Sequence, residues 1–116
     1  ATGKNEEEQK ILNEILKGDF REKCIPLDHL NIKEVMPIIS NCKISICNDS
    51  SFSHLSAALG IQTIVLMSDT PLLYGSYSPK MHPIIPDGED TVTHNTLGKD
   101  KINPNKIFEK LKIILN

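Results

Sequence analysis

The residues best suited to chemistry are crowded into one stretch of this chain, where Asn48, Asp49, Ser50 and Ser51 are followed by Phe52, Ser53 and His54. A carboxylate, several hydroxyls and an imidazole lie within two turns of chain, a set suited to binding an anion or a polyhydroxylated molecule. The neighbouring elements decide how such a set is presented. Upstream, Ile44 and Ile46 alternate with Ser45 and Cys47, which predicts a strand. Asn48 to Ser51 are turn and cap formers, and Leu55, Ala58 and Leu59 fall at helical spacing before Gly60, a natural helix stop. With Ser50 or Ser51 as the cap, the first backbone N–H groups of the helix lack intrahelical partners and sit at the positive end of its dipole. A phosphate is stabilised at such a place.

Rival chemistries fit less well. A hydrolase built on Asp49, a serine and His54 lacks the G-x-S-x-G elbow that exposes a serine nucleophile. Asp49, His54 and Asp69 have no spacing proper to a particular metal ion, so no metal is expected. The P-loop and dinucleotide fingerprints are absent as well.

The run D-S-S-F-S-H-L-S-A-A-L-G, from Asp49 to Gly60, resembles the signature of the family 9 glycosyltransferases, the bacterial heptosyltransferases of lipopolysaccharide assembly, which reads D-T/S-G-x-x-H-L/I-A-A-A-L-G. Residues 30–42 resemble the helix that leads into this strand, and a hydrophobic strand, an Asp69-Thr70-Pro71 turn and an Ile/Leu-rich last helix follow in the family's order. The resemblance implies a three-layer α/β, Rossmann-like domain with a small, mostly parallel sheet, equivalent to the carboxyl-terminal half of a two-domain glycosyltransferase B enzyme. It implies that residues 1–116 are a nucleotide-sugar (donor) binding domain, with the acceptor half and the general base in an amino-terminal domain lying outside this sequence.

Further expectations follow from the same resemblance. The donor is a nucleotide-activated sugar, ADP-heptose being the usual one, and the acceptor is a lipid-linked saccharide core at the cytoplasmic face of the inner membrane, with inversion at the anomeric carbon. No cofactor is required. The donor-binding residues implied are Asp49, Ser50, Ser51, His54, Thr70 and, for the ribose, Glu7. Ser50 and Ser51 would stabilise the departing diphosphate, and Asp49, itself an anion, would accept from sugar hydroxyls or hold the turn. His54 either donates to a phosphate or packs as a hydrogen-bonded histidine. Glu7 otherwise reads as part of a solvated helix start, and His29 as a surface histidine in a loop that passes near the base in the family. One departure stands out: Ser51 replaces the family's usual Gly, which narrows the site wherever backbone must approach a phosphate closely. An alternative reading is therefore a non-catalytic Rossmann-like module that binds a nucleotide or a protein.

The bulk properties are those of an ordinary soluble globular domain. The length of 116 residues suits one domain. A net charge of −2 lacks the basic excess of a nucleic-acid binder. No apolar run of about 18 residues and no signal-peptide pattern occurs, so a cytoplasmic location is expected, peripheral to the inner membrane at most. Cys24, Cys42 and Cys47 match no zinc framework and read as buried free thiols.

Periodicity completes the expected framework. Asn5 and Glu8 form a capping-box pattern ahead of a helix over residues 6–17, with Ile11, Leu12, Ile15 and Leu16 as its apolar stripe. Cys24 to Leu27 reads as a short or edge strand despite Pro26. Asn31 caps a helix carrying Ile32, Val35, Met36 and Ile39, kinked by Pro37. Thr63 to Met67 is a β-branched and aliphatic run fit for burial on both faces of a parallel sheet. A long loop with a short strand near residues 83–85 comes next, then an irregular polar stretch from Asp87 to Pro104. The last helix carries Ile107, Phe108, Leu111, Ile114 and Leu115 as its apolar face.

Overall fold

The computed structural model describes residues 3–116. The chain divides into two compact units, 1–38 and 39–116, each described by itself below.

The first unit is helical. α1 (Glu6–Lys17) starts where the sequence places it, because Asn5 Oδ1 accepts the Glu8 N–H at 2.9 Å and Glu6, Glu7 and Glu8 put negative charge against the positive dipole end. A 3-10 turn (Arg21–Lys23) follows. The strand expected at residues 24–27 is absent: the segment has no ladder partner, and Pro26 has no N–H to offer one. Gln9 on α1 donates to Asp28 Oδ2 at 3.1 Å, which fastens this segment to the helix. α2 (Ile32–Ser40) opens on a complete capping box. Asn31 Oδ1 accepts from the Lys33 and Glu34 amides, and Glu34 Oε2 accepts the Asn31 N–H at 2.8 Å.

The second unit contains the sheet. β1 (Ser45–Asn48), β2 (Thr63–Leu66) and β3 (Met81–Ile84) pair in parallel in the order β1-β2-β3, with Ser45 opposite Thr63 and Thr63 opposite Met81. All three carboxyl ends therefore lie on one rim. The central strand is buried on both faces: Val65 and Ile64 point to opposite sides and neither is exposed to solvent.

α3 (Ser51–Ala58) packs on β1 and β2. Its buried face is made of Ser53, Ser56 and Ala57, so small side chains allow the close approach. Gly60, at φ +81°, ends it, with the Gly60 and Ile61 amides donating to the Ala57 and Ser56 carbonyls. A non-glycine residue is disfavoured there. Ala57, Val65, Met67, Met81 and Val92 form the core cluster, with Leu72 and Ile85 against it. Val92 is a buried anchor within a stretch whose polarity predicts only irregular surface chain.

α4 (Pro104–Leu115) packs on β2. Asn103 caps it by accepting the Asn105 N–H at 3.0 Å, and Pro104 occupies its first turn, where a missing N–H costs nothing. Asp87 fastens this helix start by accepting from Asn103 Nδ2 and pairing with Lys106. The apolar face is narrower than its periodicity suggests. Ile107, Leu111 and Ile114 are partly buried, whereas Phe108 and Leu115 are exposed and Lys112 lies over the Phe108 ring.

Candidate functional site

The turn between β1 and α3 stands on the carboxyl rim of the sheet, the position at which open α/β sheets bind ligands. Its backbone is held from both sides. The Asp49 N–H extends the ladder by donating to the Leu66 carbonyl at 3.1 Å. Ser50, in extended conformation, caps α3. Its amide points to Ser53 Oγ at 3.4 Å, and that hydroxyl donates back to the Ser50 carbonyl at 2.7 Å, while the Ser53 amide also donates to the Ser50 carbonyl at 3.0 Å.

Of the two donors the motif suggests, Ser50 and Ser51, the backbone leaves only Ser51 open and adds Phe52. Ser50's amide is turned inward, and the amides of Ser51 and Phe52 have no acceptor among the described residues. Ser51 is exposed and Phe52 only partly buried. Phe52 was missed as a contributor, although counting from a Ser50 cap would have suggested it, since the second helical residue has no intrahelical acceptor for its N–H.

Three of the expected side chains come together here. Thr70, in the turn after β2, donates its hydroxyl to Asp49 Oδ2. The other carboxylate oxygen, Asp49 Oδ1, lies 3.8 Å from His54 Nε2. Asp49's side chain is only 10% exposed and His54's is 40% exposed, so the carboxylate is sheltered and the imidazole is reachable. A residue not foreseen completes the group. Tyr77 places its hydroxyl 2.7 Å from His54 Nδ1 and lays its ring along the imidazole, with centroids 5.6 Å apart and planes 12° apart. Nothing local marks Tyr77 in the sequence, because it sits in the β2–β3 connection, where no periodicity operates.

Beneath the rim, Cys47 on β1 has its thiol pushed up by burial, and the Asp49 charge adds to that effect against a hydrogen bond from Ser45. Such a thiol is a poor nucleophile. Glu7 is exposed on the first turn of α1, in the first unit, and His29 is likewise exposed. No group of three or more potential metal-ligating side chains occurs among the described residues.

A rim with two unspent amides at a helix start, a sheltered carboxylate and a reachable imidazole can hold a phosphorylated ligand beside hydroxyl-bearing atoms. Comparison with known sequences decides the lineage: residues 1–110 match the family model of glycosyltransferase family 9 (heptosyltransferase). The chain belongs to glycosyltransferase family 9. Within this glycosyltransferase family a curated relative, lipooligosaccharide heptosyltransferase 2 of Haemophilus influenzae, is 30% identical over 88 residues. That match takes in 75% of this chain and 23% of the relative, so the family 9 chain spans less than a quarter of the heptosyltransferase it resembles. No solved structure matches it significantly. The three-stranded parallel sheet is compatible with a Rossmann-like domain, as family membership leads one to expect.

Proposed function

We propose that residues 1–116 form the donor-binding part of a glycosyltransferase that moves a sugar, heptose in the first instance, from a nucleoside diphosphate to a lipopolysaccharide-core acceptor. The observation that carries this reading is the pair of acceptor-free amides, Ser51 and Phe52, at the carboxyl rim beside Asp49, His54 and Thr70. Donors fixed at a helix start stabilise the charge that grows on a departing diphosphate without having to reorganise. Asp49, with one oxygen bonded to Thr70, organises the turn. Its other oxygen, on the side of His54, is the acceptor proposed for sugar hydroxyls.

The general base and the acceptor site belong, on this reading, to a second domain, so the chain binds donor and transfers nothing. Glu7 is proposed as the ribose contact. ADP-heptose is the donor proposed, with a lipid-linked saccharide as acceptor, and the setting is the cytoplasmic face of the inner membrane. No helix among the described residues is long and apolar enough to cross a membrane.

The decisive experiment is Ser51→Pro. Ser51 is the first residue of α3, and Ser50 before it is extended at φ −161° and ψ 174°, a conformation that tolerates a following proline. The variant therefore keeps the fold and removes one amide. ADP titration followed by NMR is expected to shift the Ser51, Phe52 and His54 signals in the wild type and to show binding weakened at least tenfold in the variant. Equal ADP affinity in a folded Ser51→Pro protein, or no binding by the wild type, would overturn the reading.

A further inference from the structure

We propose that Tyr77 is a positioning residue for this site, holding His54 in the tautomer protonated on Nε2 so that this N–H is offered to an anionic ligand beside the α3 turn. The inference deepens the donor-site reading and rests on it for the nature of the ligand. It rests on geometry alone for the tautomer.

Two neutral tautomers are open to an imidazole, and its surroundings select between them. Were Nδ1 protonated, it would donate to Tyr77, and the bare lone pair of Nε2 would face Asp49 Oδ1 at 3.8 Å. That arrangement opposes a lone pair to a sheltered carboxylate. With Tyr77 donating to Nδ1 at 2.7 Å, the proton lies on Nε2 and faces the same carboxylate attractively. Asp49 cannot turn away, because its other oxygen is engaged by Thr70. The three contacts agree on one tautomer.

The Nε2–H is not consumed by this arrangement. A separation of 3.8 Å is beyond hydrogen-bond length, so the N–H is oriented but unspent. The exposed part of the ring lets a ligand oxygen reach it. The parallel stack fixes the plane of the imidazole and the hydroxyl fixes its rotation, so Tyr77 orients the ring as a carbonyl or carboxylate does behind many functional histidines, but as a donor, which leaves the proton on Nε2 rather than Nδ1. His54 lies one turn along α3 from the open Ser51 and Phe52 amides. A phosphate held by those amides lies about one helical turn from His54, whose Nε2–H supplies a further donor. Because Tyr77 belongs to the β2–β3 connection, the histidine's geometry depends on a segment outside the signature motif.

Tyr77→Phe retains the stacked ring and deletes only the hydroxyl. Long-range proton–nitrogen spectra of the imidazoles, with His54 assigned by comparison with His54→Gln, read the tautomer directly. ADP titration of wild type and Tyr77→Phe reads the consequence. The expected result is an Nε2-protonated His54 in the wild type, a mixed tautomer population in Tyr77→Phe, and ADP binding weaker by about three- to tenfold, the weight of one neutral hydrogen bond. An Nδ1-protonated His54 in the wild type, or unchanged tautomer and ADP affinity in the variant, would overturn the proposal. A tautomer shift in a protein that binds no ADP would overturn the donor reading and leave Tyr77's hold on His54 supported.

Discussion

Thr70 donates to Asp49 across two loops that leave adjacent parallel strands, so a single side-chain bond ties the turn after β1 to the turn after β2. The bond fixes the direction of the carboxylate that faces His54, and it is made where the carboxylate is mostly withdrawn from water. Its loss therefore strands a sheltered anionic oxygen.

Thr70→Val tests this relationship. The change keeps the β-branched shape and removes the donor, and leaving a sheltered carboxylate oxygen unpaired costs about 1–3 kcal/mol. Urea unfolding should show a lower midpoint at unchanged slope, with Thr70→Ser close to wild type. ADP affinity should fall in Thr70→Val through misdirection of Asp49 and His54.

Ser51→Gly addresses the departure from the family signature. Ser51 lies at the first helical position with an exposed side chain, so replacement by glycine removes atoms from the approach to its own amide while costing only a few tenths of a kcal/mol in helix stability. Calorimetric titration with ADP is expected to give equal or tighter binding. Weaker binding would mean that the Ser51 hydroxyl itself contacts the ligand.

Gly75→Ala probes the packing that supports the rim. Gly75 closes the 3-10 turn Leu72–Gly75 and is buried, and a Cβ placed there would overlap the Sδ of fully buried Met67. With no solvent-exposed space for Met67 to yield into, the substitution should destabilise by about 1–3 kcal/mol, seen as a lowered Tm. Tyr77 lies two residues farther along, so the same variant should broaden the His54 signals.

His82 gives the fold a pH dependence with a definite sign. Burial chiefly, and Lys110 in addition, lower its pKa from the ordinary 6.5, and its Nε2 lies 2.7 Å from Gln62 Oε1. The unfolded chain takes up this proton at a higher pH than the folded one does. The stability that neutral His82 contributes is therefore complete above pH 6.5 and is lost as pH falls through the lowered folded value. Unfolding curves of wild type and His82→Gln should diverge above that window and converge below it, and an NMR titration should place the His82 midpoint under 6.5.

Asp87 acts at lower pH. Hydrogen bonds from Lys106 and then Asn103 hold its carboxyl below the usual value of 3.8, although it is exposed. Its contribution is present above pH 3.8 and disappears as pH falls through the lowered folded value. Asp87→Asn should fray the start of α4, measured as faster amide exchange at residues 105–107, and should blunt the acid sensitivity of that exchange.

The sequence by itself determined the elements whose signals are local. Asn5, Asn31 and Asn103 mark three helix starts because an amide oxygen finds the free N–H groups two or three residues on, whatever surrounds the helix. Gly60 marks the end of α3 because a left-handed backbone is cheap only for glycine. The run from Thr63 to Leu66 marks the central strand because β-branched residues buried on both faces need no alternation. The Asp49–Gly60 signature marked the family and, with it, most of the rim residues.

Tertiary structure decided what depends on residues distant in sequence. Cys24 to Leu27 has the composition of a strand, but a strand exists only with a partner to bond to, and none pairs there. Val92 became part of the core and Phe108 did not, since burial depends on which neighbours arrive rather than on the hydrophobicity of one residue. Whether Ser50 offers its amide outward was settled by the rotamer of Ser53, whose hydroxyl takes it. Tyr77 reached His54 only because parallel pairing of β2 and β3 sends their connection back across the sheet, bringing residues 23 apart in sequence into one stacked, hydrogen-bonded pair.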